Sequence, residues 1–133
     1  MDKRITISTS SPWESIVGYS RAVRIDNYVS VSGTTSIDRR TGKIVGEGDA
    51  YMQTVKIIEN IEYALLKARA TLNDVTRTRI YVLNIDDDWR KIGKAHSKFF
   101  AYIKPATTMV QVSRLIDPKM LVEIEADAIV MNK

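Results

Sequence analysis

The chain of 133 residues contains no cysteine, one histidine and no long apolar run. Without cysteine it has no disulfide, no thiolate metal site and no cysteine nucleophile. The single histidine, His96, excludes a cluster of several histidines around a metal. No apolar segment approaches the roughly 20 residues that a membrane span needs, and the N-terminal segment lacks the apolar core of a secretory signal. We therefore expect a soluble, cytoplasmic protein with no membrane partner.

Charge is present but not concentrated. The chain has 20 basic and 16 acidic residues, a net charge of +4, and the basic residues are spread along it. Nucleic-acid-binding surfaces usually combine a basic stripe with stacking aromatic residues, so this distribution argues against a nucleic-acid partner. With 44% hydrophobic residues and neither a repeat nor a low-complexity linker, residues 1–133 are predicted to form one domain.

The hydrophobic pattern predicts six strands and two helices in the order β-β-β-α-β-α-β-β. Asp49 is a suitable N-cap for the first helix, and Pro105 is expected to end the second. Asp26 and Asn27 tolerate positive φ and predict a tight turn. Residues 10–13 are predicted to be irregular. The predicted strands are 4–8, 22–25, 28–33, 76–83, 108–112 and 121–130, and the predicted helices are 50–71 and 89 to about 103.

Strand alternation predicts a sheet with one apolar face and one charged face. Glu123, Glu125 and Asp127 alternate with apolar residues in the last strand, and Arg77 and Arg79 share one face of the fourth. Two helices with single apolar stripes should lie together on the apolar face, which is an α+β architecture. The acids and arginines of the other face are expected to pair across strands. That face is either solvated or packed against copies of the chain.

Several segments resemble one family in the same order along the chain. They are GYSRA at 18–22, YVSVSG at 28–33, DRRTGKIV at 38–45, PA at 105–106, VQVSRL at 110–115 and VEIEA at 122–126. From about residue 13 to residue 130 the chain is similar to the Rid (reactive intermediate deaminase) family, also called YjgF-like or L-PSP endoribonuclease-like.

This resemblance implies a chorismate-mutase-like α+β fold, with a single mixed sheet and two helices on one face. It also implies a homotrimer, with the sheets around a central barrel and three clefts between subunits that bind a small molecule. Better-studied members hydrolyse reactive imines and enamines to 2-keto acids and ammonia, with no cofactor and no metal. Some relatives have been called ribonucleases or translation inhibitors.

The chain departs from the deaminating branch at its main substrate-binding position. Those members have an arginine after a Pro-Ala or similar pair, and a bidentate arginine suits a substrate carboxylate. Here Thr107 occupies that position. Met109 stands where cysteine is frequent, and Gly93 where asparagine is common early in the second helix. The resemblance therefore predicts an altered site.

Three other positions match the family's cleft. Tyr19 corresponds to a cleft tyrosine that donates to a ligand oxygen, or it is a boundary residue that packs its ring. Ser32 matches the serine at the end of a strand, where its alternative role is a local hydrogen bond. Glu123 matches the glutamate that orients the attacking water, and otherwise it pairs with an arginine across strands.

The segment around Tyr19 supplies further candidates for ligand binding. Arg21 lies two residues beyond Tyr19, so in an extended chain both side chains share a face. We hypothesise that Arg21 replaces the missing arginine; otherwise it is a surface residue. Trp13 is either a stacking wall for the ligand or a cover for one end of the core. With Glu14 as an extra carboxylate beside Arg21, the ligand would be zwitterionic or cationic. His96 falls in an apolar helical stripe and is expected to be packed.

Two functions from different classes remain open. In the first, the protein hydrolyses imines or enamines with Glu123 and a cleft water, and Arg21 or backbone amides hold the substrate. In the second, it binds a metabolite without turnover, because the arginine is missing. A third function, ribonuclease or translation inhibitor, rests on family labels, and this sequence supplies no histidine pair for RNA cleavage.

Overall fold

The computed structural model describes residues 3–9 and 11–131. These residues form a six-stranded mixed sheet, three α-helices and one 3₁₀ turn at Leu72–Asp74. None of the helices in these ranges is long and apolar enough to cross a membrane. The elements are β1 (Arg4–Ile7), α1 (Pro12–Val17), β2 (Ala22–Ile25), β3 (Tyr28–Thr34), α2 (Ala50–Lys67), β4 (Val75–Val82), α3 (Ile85–Phe100), β5 (Ala106–Gln111) and β6 (Val122–Ile129).

The strands lie in the order β1-β2-β3-β6-β4-β5. All neighbours are antiparallel except β4 and β5, which are parallel. Parallel strands need a crossover connection, and α3 provides it. The predicted turn at Asp26 joins β2 to β3, and Asp26 has the expected positive φ of 52°.

The helix-covered face of the sheet forms the core. Val122, Ile124, Ala126 and Ala128 of β6 are fully buried, and α2 packs against β6 and β3. The stripe predicted for α2 is buried from Val55 to Leu65. The predicted α+β class, with the two long helices on one face of a single mixed sheet, is thus confirmed.

A short helix, α1, was not predicted, and the interpretation of 10–13 as irregular is wrong for Pro12 and Trp13; Ser10 lies outside the described residues. Ser11 occupies the N-cap position and Pro12 the first turn, where proline's missing N–H has no intrahelical partner to lose. Gly18 ends the helix with φ 89°, a left-handed conformation that glycine adopts without strain. A helix of six residues is too short to show an apolar periodicity in the sequence, so α1 could not be predicted from this pattern.

The ends of the long helices differ from the predicted ones. Helix α2 ends at Lys67 rather than at residue 71, because Arg69 adopts φ 62° and turns the chain. Helix α3 begins at Ile85 rather than at residue 89, so the three aspartates 86–88 lie inside its first turn. There their negative charges interact favourably with the positive end of the helix dipole. It ends at Phe100, and Lys104 (φ 51°) reverses the chain just before Pro105.

The opposite face of the sheet carries the predicted cross-strand pairs. The Arg79 guanidinium lies 3.0 Å from Asp127 and 3.4 Å from Glu125. The Tyr81 hydroxyl donates to Glu125 at 2.7 Å, and this hydrogen bond raises the pKa of Tyr81. The arginine partners on this face are therefore Glu125 and Asp127, and not Glu123.

Candidate functional site

A cleft of about 990 Å³ opens beside the end of β3. Its walls come from α1, the segment before β2, the loop at 34–47, α2 and the loop that leads into β6. Four of the predicted site residues line it, namely Trp13, Tyr19, Arg21 and Glu123.

Arg21 is held at the start of β2 by backbone hydrogen bonds on both sides. Its N–H donates to Ile7 O at 2.7 Å, and its carbonyl accepts from Ser32 N at 3.0 Å. The guanidinium lies 5.5 Å from the centre of the Tyr19 ring. Its Nε and Nη2 are buried and have no hydrogen-bond partner among residues 3–9 and 11–131. A buried donor without a partner carries a desolvation penalty of roughly 1–3 kcal/mol, and the penalty is larger when the donor is charged. An anion bound at Nε and Nη2 would remove this penalty.

Glu123 of β6 faces the same cleft next to Gly33 of β3. A Cβ on Gly33 would lie 2.1 Å from the Glu123 Oε2, so only glycine leaves room for this carboxyl group. Burial raises the pKa of Glu123; Arg21 lowers it by charge and Glu125 raises it. Within the described chain, Glu123 has no hydrogen bond or ion pair of its own. A carboxyl group with a raised pKa and a guanidinium with unpartnered nitrogens thus share one cleft.

Of the two predicted site residues on helix α1, Trp13 lines the cleft and Glu14 does not. Trp13 is 38% exposed and lines the cleft wall. Glu14 is only 6% exposed, and its carboxylate accepts hydrogen bonds from the backbone N–H and the hydroxyl of Thr9. It lines a smaller neighbouring cavity, which Tyr19 also lines. The arrangement that motivated a zwitterionic or cationic ligand, with Glu14 and Arg21 in one cleft, is therefore absent from the described cleft lining.

Ser32 and Thr107 lie outside the lining of the cleft. The Ser32 hydroxyl donates to Ser20 O at 2.7 Å, which is the local hydrogen bond considered as its alternative role. Thr107, in β5, accepts a hydrogen bond from the Thr78 hydroxyl at 2.7 Å, and Thr78 lies 2.9 Å from His96 Nε2. The side chains of Thr107, Thr78 and His96 are thus linked to one another by hydrogen bonds.

His96 is packed, as expected from its helical stripe. Its ring lies 4.6 Å from the ring of Phe100, and burial lowers its pKa. The described residues hold no group of three or more histidine, aspartate or glutamate side chains placed to bind a metal ion.

The cleft residues that were not singled out from the sequence include Gly33, Arg39, Asn60 and Tyr63. Gly33 had a signal, since a glycine at the end of a buried strand often marks a close approach. Arg39 had none, because the residues that hold it are in α2, about 20 positions away.

Comparisons with known proteins agree with one another. A family model described as endoribonuclease L-PSP matches residues 9–130. A RutC family protein of Pyrococcus abyssi is 40% identical, over 96% of this chain and 98% of its own length. The 3-aminoacrylate deaminase RutC of Acinetobacter baylyi is 33% identical over 96% of this chain and 98% of its own. A solved structure from Mycobacterium tuberculosis, of the YjgF/YER057c/UK114 family, has a TM-score of 0.87 at 49% identity, covering 96% of this chain and all of that one.

Proposed function

Because the chain belongs to the endoribonuclease L-PSP family, which includes the YjgF and RutC proteins, we propose that it hydrolyses reactive imines or enamines that carry a carboxylate. The keto or aldehyde acid and ammonia are the products. One observation supports this proposal: the Arg21 guanidinium, with two unpartnered nitrogens, and the Glu123 carboxyl, with a raised pKa, line the same cleft.

Arg21 supplies the carboxylate site that the substitution at Thr107 removes. Nε and Nη2 lie on the same side of a guanidinium, and together they match the two oxygens of a carboxylate. These are the two Arg21 nitrogens without a partner in the part of the chain that the structure describes. One relative is named as a deaminase of 3-aminoacrylate, an enamine with such a carboxylate.

Glu123 manages the protons of the reaction. It takes a proton from a water molecule whose oxygen bonds to the imine carbon, while the C=N π electrons move to the nitrogen, and it returns this proton to the nitrogen to give a neutral carbinolamine. Glu123 then transfers the hydroxyl proton of the carbinolamine to the amino group, so that ammonia leaves as the C–O bond becomes the carbonyl. An enamine enters as its imine tautomer. Because burial raises the pKa of Glu123, its carboxylate is a stronger base than that of an exposed glutamate.

Two other predicted site residues, Tyr19 and Trp13, assist binding. Tyr19 lies against Arg21 and donates its hydroxyl to a substrate oxygen, and Trp13 forms an apolar wall. Thr107 and Ser32 lie outside this cleft within one subunit. In the homotrimer that we propose, the clefts lie between subunits. Thr107 would then offer a ligand one hydroxyl hydrogen bond and no charge.

The test generates imines from a panel of amino acids with an amino-acid oxidase, with semicarbazide as the competing trap. The purified protein should lower semicarbazone formation, and Glu123→Gln should reduce that effect about 100-fold, as expected for loss of a general base. Glu59→Gln, an exposed carboxylate on α2 outside the cleft, should match the wild type and serves as the control.

Metabolite binding without turnover is the second candidate, and one observation favours it. At position 107 there is no cation, and the hydroxyl is already bonded to Thr78. If the wild type leaves semicarbazone formation unchanged across the panel but binds a keto acid in a calorimetric titration, the hydrolase proposal is wrong and the binding protein remains.

A further inference from the structure

The cleft carries more positive charge than Arg21 alone supplies. Arg39, Arg40 and Lys43, from the loop after β3, also line it. In the ranges that the structure describes, no carboxylate oxygen lies within 4 Å of the charged nitrogens of these three side chains. The charge of this end of the cleft is therefore not neutralised by direct ion pairs.

Three other carboxylates besides Glu123 line this cleft, and each has a polar partner of its own. Asp38 Oδ1 accepts from the backbone N–H of Arg40 and Thr41, and these bonds lower the pKa of Asp38. Glu47 lies 3.6 Å from Lys119 Nζ, and Asp117 Oδ1 accepts from the Lys119 N–H. None of the three forms an ion pair with Arg39 in the described structure.

Arg39 is held in one position by α2. Its guanidinium stacks on the Tyr63 ring at 3.8 Å, and Nη1 donates to Asn60 Oδ1 at 3.0 Å. Asn60 is itself fixed, because its Nδ2 donates to the carbonyls of Thr35 and Ile37. A guanidinium that is stacked and bonded through one nitrogen keeps its other N–H groups for a ligand and loses little entropy on binding it.

The two arginines belong to one continuous cleft. Gly33, Thr34, Thr35 and Ile37 line it, and along the chain they lead from the Glu123 contact to the Arg39 loop. Its volume of about 990 Å³ is at the upper end of small-molecule sites, which span roughly 300–1,000 Å³. An imine of three or four carbons bound at Arg21 would leave the Arg39 end of the cleft unfilled.

We propose that the Arg39–Tyr63–Asn60 cluster is a second anion subsite, and that the preferred ligand is a dicarboxylate. The ligand's reactive end binds Arg21, and its second carboxylate binds Arg39. This inference rests on the proposed function for the Arg21 end and adds the substrate class, an imine or enamine derived from an amino acid whose side chain ends in a carboxylate.

The test measures competitive binding of α,ω-dicarboxylates from succinate to suberate against monocarboxylates of equal chain length, by calorimetry. The wild type should bind the best-fitting dicarboxylate about tenfold more tightly than its matched monocarboxylate. Arg39→Met keeps an apolar stem over Tyr63 and should reduce this advantage to about twofold or less. Arg90→Met is the matched control, because Arg90 also lies over an aromatic ring, at 4.9 Å from Trp89, but outside the cleft.

The proposal is overturned if no dicarboxylate exceeds its matched monocarboxylate, or if Arg39→Met retains the tenfold advantage. An Arg21→Met variant separates this failure from failure of the proposed function. It should weaken monocarboxylates and dicarboxylates alike. If it leaves monocarboxylate binding unchanged, the Arg21 site itself is wrong, whatever Arg39 does.

Discussion

Two regions of the predicted site differ in whether their polar groups have partners. At Arg21, two buried guanidinium nitrogens have none among the described residues, and Glu123 faces them as a partly buried carboxyl. At Thr107, the hydroxyl bonds to Thr78, and Thr78 to His96. Native proteins rarely leave buried polar groups unpaired, and a missing ligand is one explanation. We therefore propose that the first region binds the ligand and that the second does not.

Of the substitutions considered below, adding a side-chain atom next to Glu123 should have the largest effect on imine hydrolysis. Gly33→Ala places a Cβ 2.1 Å from Glu123 Oε2 and forces the carboxyl group to move. The φ of Gly33 is not positive, so alanine is compatible with the backbone there. We expect imine hydrolysis to fall about 100-fold, as for loss of the base, while the circular dichroism spectrum is unchanged.

Gly93→Ala in α3 is the control for that substitution. No atom beyond the neighbouring residues and the helix's own backbone lies within 4 Å of the added Cβ, and removing a helical glycine should stabilise the protein by about 0.5–1 kcal/mol. Equal activities for the two alanine variants would mean that the position of Glu123 does not matter.

The unpaired carboxyl should also destabilise the protein at neutral pH. Because the pKa of Glu123 is raised in the folded state, the folded protein retains a proton that the unfolded chain has lost above about pH 4.5. The free energy of unfolding therefore falls as the pH rises through the folded pKa. Glu123→Gln mimics the protonated group, so its melting temperature should exceed that of the wild type at pH 7 and equal it below pH 4.5. A lower melting temperature at pH 7 would contradict this account.

The paired region should respond to pH in the opposite direction. Burial lowers the pKa of His96 below 6.5. The unfolded chain therefore gains a proton first, and stability is lost as the pH falls through about 6.5. His96→Phe should remove this loss, which thermal melts between pH 8 and pH 5 would measure. The same acid-side loss in the variant would assign it to another group.

Much of the fold could be predicted from the sequence because alternation is a local signal. The faces of β4 and β6 followed from period-two patterning, and so did the expectation that arginines and acids pair across strands, which Arg79 does with Glu125 and Asp127. The end of α2 could not be predicted in this way. Ala68 and Arg69 have residue types that favour a helix, but Arg69 has a positive φ. In this conformation the carbonyls of Ala68 and Arg69 both accept hydrogen bonds from the Arg24 side chain, which is distant in sequence.

Tyr19 and Arg21 were linked by their spacing of two positions, and Glu123 was identified from the family resemblance; all three line the cleft. The engagement of Glu14 with Thr9 depends on α1, which was missed. Arg39 meets Tyr63 and Asn60 only after the chain folds, so no local pattern marks it.

We propose that Arg21, rather than position 107, holds the carboxylate of the ligand. Calorimetric titration of a 2-keto acid into the wild type, Arg21→Met and Thr107→Val tests this proposal. Arg21→Met should weaken binding tenfold or more, as expected for loss of a charge-assisted bidentate contact of about 1.5–3 kcal/mol, and Thr107→Val should change it by no more than about threefold. Unchanged affinity in Arg21→Met, with loss of binding in Thr107→Val, would contradict it.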